Sequence, residues 1–283
     1  MHWQTSRFPI DLSRPQVMGI VNVTPDSFSD GGRHAGTRAA LAHCEKLLVD
    51  GADILDLGGE SSRPGSPPVP LEEELARVLP VLREAATLGV PVSVDTYKPE
   101  VMRQALDLGA DIINDIWALR RSGARAAVAA HPGCGICLMH MHGEPQTMQH
   151  SPMEGDVLPQ VMAFLTQATD ALLAAGVGRP RIVWDPGIGF GKTVEQNSTL
   201  LARQAGLLEA GVPILCGWSR KSSLGSVTGL PVDDRLAPSL AAAVLAVERG
   251  ARIVRVHDVR ETVAALKVWG ATISIAHSSR SNP

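Results

Sequence analysis

GADILD, at residues 51–56, is the stretch that best indicates how this chain folds, because its design recurs along the sequence. GADIIN at 109–114 and GARIVR at 250–255 repeat it, while GVPVSVD at 89–95 and GVPILCG at 211–217 are one residue longer. In each copy a glycine follows a helix-like segment, where a residue with positive φ ends a helix at little cost. A short run rich in β-branched residues comes next, which is typical of a strand buried on both faces. Most copies then place a polar side chain where the strand should end.

The same pattern, extended along the 283-residue chain, predicts strands that alternate with helices. The strands are expected near residues 17–22, 53–57, 92–95, 111–114, 135–139, 181–184, 213–216 and 252–256. The helices are expected near residues 37–49, 71–88, 99–107, 121–130, 157–175, 195–209, 234–249 and 259–268. Eight strand–helix units predict an α/β protein of the closed (β/α)8, or TIM-barrel, class, which commonly uses roughly 250 residues. We expect residues 1–283 to form a single domain, with an open doubly wound sheet as the alternative.

Composition limits the partners of the chain. Hydrophobic residues make up 45% of it, which suffices for a sizeable core, and its net charge of -3 offers no basic footprint for nucleic acid. No stretch approaches the roughly 20 uncharged apolar residues that a membrane span needs, and residues 1–10 lack the pattern of a signal peptide. We therefore expect small-molecule or protein partners, no nucleic acid, no membrane and a cytoplasmic location.

The Cys134–Cys137 pair lacks two further zinc ligands, so reduced, buried thiols are expected.

Polar residues stand at the expected carboxyl ends of the strands, where barrels of this class carry their catalytic groups. These positions are Asn22, Asp56, Asp95, Asn114, His140, Asp185, Arg255 and His257. Any one of them could merely cap the helix that follows. Because so many share one predicted face, we expect a concave polar site there.

Two of the predicted loops at that face, residues 23–36 and 58–70, are longer than connection requires. Their Gly, Pro and Ser content suits loops, and tolerated surface insertions are the alternative interpretation. Phe28 and Arg63 argue against idle insertions, because a large apolar ring and a cation are unusual there. We expect both loops to act as lids or clamps over the site.

Two later loops also carry site-like residues. DPGIGFGKT, at 185–193, has the wrong spacing for a phosphate loop, so its glycines are expected to let backbone approach a flat ligand, with Phe190 as a wall. GWSRKS, at 217–222, places two cations at the active face, and Ser222 is expected to open a helix that favours anions.

Eight segments, taken in order along the chain, resemble the dihydropteroate synthase family. They are GIVNVTPDSFSDGG (19–32), GGESSRPG (58–65), VSVDTYKPEV (92–101), INDI (113–116), MHMHGEPQTMQ (139–149), DPGIGFGK (185–192), GWSRKSSLG (217–225) and RVHDV (255–259). The resemblance runs from Gln16 to Val268, and the ordered set is far more specific than any one motif. Two departures are minor: Ser62 stands where the family often has Thr, and Trp218 stands where the residue is often smaller.

The resemblance implies a reaction in folate biosynthesis, in which p-aminobenzoate displaces pyrophosphate from 7,8-dihydropterin-6-methyl pyrophosphate and gives 7,8-dihydropteroate. It implies a pterin site of Asp95, Asn114, Met139, Asp185, Phe190 and Lys221. It implies a pyrophosphate site of Asn22, Ser62, Arg63, Arg255 and His257, with Mg2+ as cofactor on Asn22. It implies a p-aminobenzoate site of Phe28, Ser62, Pro64, Phe190, Lys221 and Ser222, where sulfonamides should compete. The catalytic residues would be Arg63, Asp95, Asp185, Lys221, Arg255 and His257, and the assembly a homodimer.

The chemistry of these residues suits the implied roles. Carboxylates such as Asp95 and Asp185 accept from the ring N–H and amino groups of a pterin, and the amide of Asn114 both donates and accepts. On these roles, replacing Arg255 should weaken turnover and keep pterin recognition, while Asp56 has no assigned role. Two alternatives share the pterin site: a methyltransferase that passes a methyl group from a reduced folate to a corrinoid protein, and a non-catalytic pterin-binding paralogue. Neither has an evident use for the ESSRPG loop and its anion-binding residues.

Overall fold

The computed structural model describes residues 1–23, 32–61 and 65–278. Two short strands come first, β1 (His2–Gln4) and β2 (Pro9–Asp11). They are followed by β3 (Gln16–Asn22), β4 (Ile54–Gly58), β5 (Val92–Asp95), β6 (Ile112–Asp115), β7 (Gly135–Met139), β8 (Ile182–Asp185), β9 (Ile214–Cys216) and β10 (Ala251–Val256). The eight strands β3 to β10 form a closed parallel barrel in chain order, with β10 paired back to β3. The predicted (β/α)8 barrel is confirmed, and the open-sheet alternative is wrong.

Helices cover the outside of the barrel. They are α1 (Gly32–Val49), α2 (Leu71–Ala85), α3 (Pro99–Asp107), α4 (Ala124–Ala130), α5 (Val157–Ala174), α6 (Val194–Ala202), α7 (Ser222–Thr228), α8 (Leu236–Glu248) and α9 (Val259–Ser278). A 3-10 helix at Gln204–Ala210 continues the segment for which one longer helix was expected. Helix α1 begins at Gly32 rather than near residue 37, so the first long loop is shorter than the sequence suggested.

The repeated glycine that precedes each strand has the conformation expected of it. Gly51 has φ of 100° and Gly109 has φ of 98°, a region that side chains with a Cβ rarely adopt. Each turn feeds a strand whose residues are almost all buried on both faces, as in β4, where the whole strand is buried. The local sequence therefore sets both the helix stop and the start of the next strand.

The N-terminal hairpin of β1 and β2 covers the amino end of the barrel, which the sequence did not predict. Trp3 is fully buried, and Ile10 and Leu12 join it in one apolar cluster with barrel residues such as Met18 and Ile54. The indole N–H of Trp3 donates to the carbonyl oxygen of Arg181, 2.9 Å away. The hairpin thus closes the face opposite the strand ends where the polar residues lie.

One described helix, α5, has the length and composition of a membrane span, with a mean hydropathy of 1.2 over 18 residues. In this structure it packs against β7 and α6 as one of the barrel's outer helices. Val161, Leu165 and Leu172 are buried on its inner face. Barrel packing accounts for these buried apolar residues.

Candidate active site

A buried charge cluster lies at the carboxyl ends of four strands. Arg255, near the end of β10, donates from Nε to Oδ2 of Asp56 at 2.6 Å and from an Nη to Oδ2 of Asp95 at 2.8 Å. The side-chain amide of Asn114 donates to the same oxygen of Asp56 at 3.4 Å. Asp56, which had no assigned role, therefore joins Arg255 to Asn114 and is a central residue of the site. Its expected position near a strand end was the only sequence signal for this, and in the structure it is the central residue of β4.

One guanidinium shared by two carboxylates leaves an excess of negative charge. Burial raises the pKa of Asp95 to about 7, with Arg255 opposing the shift and Asp56 adding to it. Burial alone would lower the pKa of Arg255, but the two carboxylates outweigh it and raise that pKa. Oδ1 of Asp56 is buried and has no hydrogen-bond partner within the described residues. The two carboxyl groups therefore offer acceptors to ligand N–H groups, and the cluster becomes more anionic as the pH rises through about 7.

Strand register places Asn22 beside this cluster. Asn22 pairs with Gly58, Gly58 pairs with Asp95, and Asp95 pairs with Asn114 on successive parallel strands. Side chains of paired residues leave a sheet on the same face, so Asn22, Asp95 and Asn114 share the barrel's inner face. Gly58 lies between Asn22 and Asp95 in this register and has no side chain to separate them. A Cβ built on Gly58 would lie 3.8 Å from Cβ of Asp95.

Asp185 closes β8 and begins the glycine-rich loop. It is buried, and its Oδ1 accepts from the N–H of Gly187 at 2.7 Å. Burial raises the pKa of Asp185, and the Gly187 N–H opposes that shift. Further along the loop, Phe190 is buried beside Met139 in one cluster. Nζ of Lys221 lies 4.3 Å from the centre of the Phe190 ring, so a cation and an aromatic face stand together at the site.

Two glycines of this loop allow a close backbone approach within the protein. A Cβ at Gly187 would lie 1.8 Å from the carbonyl oxygen of His140, and one at Gly191 would lie 2.2 Å from that of His142. Both glycines therefore allow the loop backbone to pack against the chain that follows β7, while the approach of this loop to a flat ligand stays a prediction. The expectation that Phe190 forms a wall is consistent with its buried position.

His140 does not belong to the polar ring. Its ring is buried, its Nδ1 accepts from Nζ of Lys192 at 2.8 Å, and its edge contacts Phe164 of α5 with ring centres 4.9 Å apart. Burial lowers the pKa of His140 to about 2, and Lys192 adds to the effect, so the ring is neutral. The sequence placed it correctly at a strand end, but its side chain packs towards the helix layer.

The two cations after β9 have separate tasks. Arg220 has φ of 58°, and its guanidinium donates from Nε to Asp258 at 3.1 Å, so it anchors the turn. A left-handed residue other than glycine costs about 1–3 kcal/mol, and this ion pair helps to hold it. Lys221 instead reaches Phe190, while Ser222 is exposed and opens α7 as expected.

Ser219 orients the ring of His257. The Ser219 oxygen accepts from the backbone N–H of His257 at 3.2 Å and lies 2.9 Å from its Nδ1. Because a hydroxyl group can donate one hydrogen bond and accept two, this contact fits either tautomer of a neutral imidazole. The contact therefore fixes the orientation of the His257 ring.

Glu60 joins both ends of the second long loop to β5. Its carboxylate accepts from the Tyr97 hydroxyl at 2.8 Å, from Lys98 Nζ at 2.5 Å and from the N–H of Val69 at 3.1 Å. Lys98 also pairs with the buried Glu74 of α2. Sequence analysis did not identify this network, although Tyr97 and Lys98 directly follow a strand-end aspartate.

Four predicted site residues, Phe28, Ser62, Arg63 and Pro64, lie outside the described residues. Of the departures from the family pattern, Trp218 is described, and it is buried in the main core. Among the residues that the structure describes, no group of three or more His, Cys, Asp or Glu side chains could hold a metal ion. All four cysteines are buried and unpaired, as expected.

Comparison with known proteins gives one consistent answer. The family model described as pterin binding enzyme matches residues 18–257. The dihydropteroate synthase of Neisseria meningitidis serogroup B is 51% identical over 275 residues, which cover 95% of this chain and 96% of that protein. The Burkholderia cenocepacia dihydropteroate synthase complexed with 7,8-dihydropteroate superposes with a TM-score of 0.90 at 51% identity, covering 98% of both chains. The Yersinia pestis dihydropteroate synthase with a sulfonamide drug complex gives a TM-score of 0.92 at 45% identity, covering 97% and 100%.

Proposed function

The chain belongs to the pterin-binding enzymes, within them to the dihydropteroate synthases, and we propose that its strand-end residues divide the reaction into three subsites. The protein is a transferase of folate biosynthesis that joins 7,8-dihydropterin-6-methyl pyrophosphate to p-aminobenzoate and releases pyrophosphate. The methyltransferase and the non-catalytic paralogue are set aside. The whole chain would act as a single domain.

The pterin subsite consists of the buried polar layer at the barrel mouth. Asp95 and Asp185 accept from ring N–H and amino groups, Asn114 donates and accepts, and Lys221 donates to the ring carbonyl or a ring nitrogen. Met139 and Phe190 supply the apolar surfaces beside the flat ring. Leaving one of these buried polar groups without its partner would cost about 1–3 kcal/mol, so the edge of the ring is strongly selected.

The proposed pyrophosphate subsite adjoins the pterin subsite, because Arg255 contacts Asp95. Arg255, His257 and Asn22 would contact the departing group, together with Ser62 and Arg63. Asn22 fits Mg2+ as a single hard oxygen ligand, because this ion keeps several waters and takes its other ligands from substrate phosphates. When bound, Mg2+ neutralises charge on the leaving pyrophosphate.

The catalytic residues are Arg63, Asp95, Asp185, Lys221, Arg255 and His257. The methylene C–O bond breaks as pyrophosphate leaves, and the arylamine nitrogen forms the new C–N bond and releases a proton to solvent. Asp95 and Asp185 stabilise the positive charge that develops on the pterin methylene, while Arg255 and His257 stabilise the departing oxygens. No side-chain nucleophile is required. The observation that supports these roles most directly is the contact of Arg255 with Asp56 and Asp95, because it brings a proposed pyrophosphate ligand beside a proposed pterin ligand.

The p-aminobenzoate subsite would be formed by Phe28, Ser62, Pro64, Phe190, Lys221 and Ser222. The exposed hydroxyl of Ser222 can donate to the carboxylate, and the ring can pack between the apolar residues. A solved relative from Yersinia pestis carries a sulfonamide drug complex, which supports the proposal that sulfonamides compete at this subsite here as well.

Incubating the protein with both substrates and Mg2+ tests the function. We expect dihydropteroate and pyrophosphate to appear in equal amounts. Chromatography measures the dihydropteroate, and a coupled enzymatic assay measures the pyrophosphate. Omitting p-aminobenzoate is the control, because pterin pyrophosphate alone should release pyrophosphate far more slowly. Failure to form either product would overturn the proposal.

Asn22→Ala tests the metal site. We expect the Mg2+ concentration for half-maximal activity to rise about tenfold, because a direct oxygen ligand is lost. Asn22→Asp is the matched control, since it keeps the oxygen and adds charge, and it should lower that concentration. An unchanged Mg2+ dependence in both variants would assign the metal to other residues.

We also propose that the protein is a cytoplasmic homodimer. The late helices present exposed apolar side chains, including Val227, Val232 and Leu236, which a second copy could cover. Sedimentation equilibrium should give twice the mass of one chain, and a monomer at micromolar concentration would contradict the proposal.

A further inference from the structure

Lys192 is a buried cation whose role the proposed reaction does not explain. Its side chain is 2% exposed, and Nζ contacts backbone and an imidazole rather than a carboxylate within the described residues. The acceptors are the carbonyl oxygens of Gly187 at 2.8 Å, Phe190 at 3.1 Å and His140 at 3.4 Å, and Nδ1 of His140 at 2.8 Å. Burial lowers the pKa of Lys192 to about 7, and these four acceptors hold its amine in one place.

These contacts fix the loop that links Asp185 to Phe190. Nζ of Lys192 joins the carbonyls at both ends of the short 187–190 turn to the residue that follows β7. The backbone of Gly187 is packed so closely against His140 that no Cβ fits there. The Asp185 side chain accepts from the N–H of this same glycine at 2.7 Å. The contacts of Lys192 therefore bear on the placement of a carboxylate, Asp185, and of an aromatic ring, Phe190.

Asn197 of α6 joins the same loop to the turn that carries Lys221. Its Oδ1 accepts from the N–H of Gly189 at 2.8 Å, and its Nδ2 donates to the Ser223 hydroxyl at 3.0 Å. Asn197 is 1% exposed, and Ser223 belongs to α7, directly after Lys221 and Ser222. The amide thus holds two separate site loops at a fixed distance, which is where the Lys221 ammonium meets the Phe190 ring.

We propose that Lys192 and Asn197 are positioning residues for pterin binding. Lys192 fixes the position of the Asp185 carboxylate and the orientation of the Phe190 ring. Asn197 fixes the distance between the Phe190 ring and the Lys221 ammonium. Neither residue touches substrate. This inference rests on the pterin-binding roles proposed above for Asp185, Phe190 and Lys221.

Lys192→Met keeps an unbranched side chain that is one atom shorter and removes the donors. We expect the Kd of 7,8-dihydropterin-6-methyl pyrophosphate, measured by calorimetry with Mg2+ and without p-aminobenzoate, to rise about 10- to 100-fold. The KM for p-aminobenzoate at saturating pterin should rise by a clearly smaller factor, because only Phe190 and Lys221 of its six proposed residues depend on these contacts. A loss of fold alone would not separate the two substrates in this way.

Arg181→Met is the matched control, because Arg181 is a buried cation that also donates to backbone carbonyls, at the opposite end of β8. It should destabilise the protein and leave the pterin Kd unchanged. If Lys192→Met does not fold, Asn197→Ala provides the same test. An unchanged pterin Kd in Lys192→Met or Asn197→Ala, or an equal loss in Arg181→Met, would overturn the inference.

Asp185→Ala separates this inference from the proposed function. If Asp185→Ala weakens pterin binding and Lys192→Met does not, only the positioning role is wrong. If Asp185→Ala leaves pterin binding intact, the proposed pterin subsite is wrong, and the positioning role that depends on it is wrong too.

Discussion

Replacing Arg255 with methionine is expected to reduce turnover by about 100- to 1,000-fold and to lower the free energy of unfolding by about 3–5 kcal/mol. The guanidinium bonds to Asp56 and Asp95 at 2.6 and 2.8 Å, and Asp56 is fully buried. Without Arg255, two carboxylates would face each other in a buried site. Steady-state kinetics and urea unfolding measure the two effects.

The pterin Kd should rise in the same variant, because Asp95 relies on Arg255 for its position. This differs from the role assigned from sequence alone, which kept pterin recognition intact. Arg14→Met is the matched control: Arg14 pairs with Asp53 in a largely exposed position and should change stability by no more than about 1 kcal/mol. Adding Asp56→Asn to Arg255→Met should restore part of the stability and none of the turnover. If the turnover of Arg255→Met lay within tenfold of the parent value, the role assigned to Arg255 would be wrong.

Trp3→Ala is expected to lower the free energy of unfolding by about 3–5 kcal/mol while kcat and both KM values stay within about twofold. The indole is fully buried, packs in the cluster that closes the amino end of the barrel, and donates to the Arg181 carbonyl. Its removal leaves a cavity far from the strand ends that carry the polar residues. Urea unfolding gives the stability, and kinetics at 25 °C give the activity.

Trp3→Phe is the graded control, since it keeps an aromatic ring and loses the N–H donor and part of the volume. We expect it to cost less than half as much as the alanine variant. A Trp3→Ala protein as stable as the parent would show that the packing of the hairpin does not stabilise the barrel. A stable variant with lost activity would place the hairpin in the catalytic cycle instead.

The sequence predicted most of the residues of the candidate site but only some of the contacts among them. Asp95, Asn114, Asp185 and Arg255 were identified because each ends a strand, and parallel strands of a barrel all end at one face. Asp56 was found by the same rule but had no role, because its partner Arg255 lies 199 positions away. His140 satisfied the rule and still points elsewhere, because the direction of a side chain at the last strand residue depends on what packs beside it.

The sequence by itself determined the eight strand–helix units and their order, because glycine stops, β-branched runs and amphipathic helices are encoded by residues close together. Only the tertiary structure decided which polar residues meet. Barrel closure brings β10 beside β3, and only then does Arg255 reach Asp56 and Asp95. The N-terminal hairpin, the hydrogen bonds of Glu60 and those of the buried Lys192 likewise join distant segments. A local pattern specifies a local conformation, whereas a contact across the barrel exists only once the closed sheet has fixed every strand.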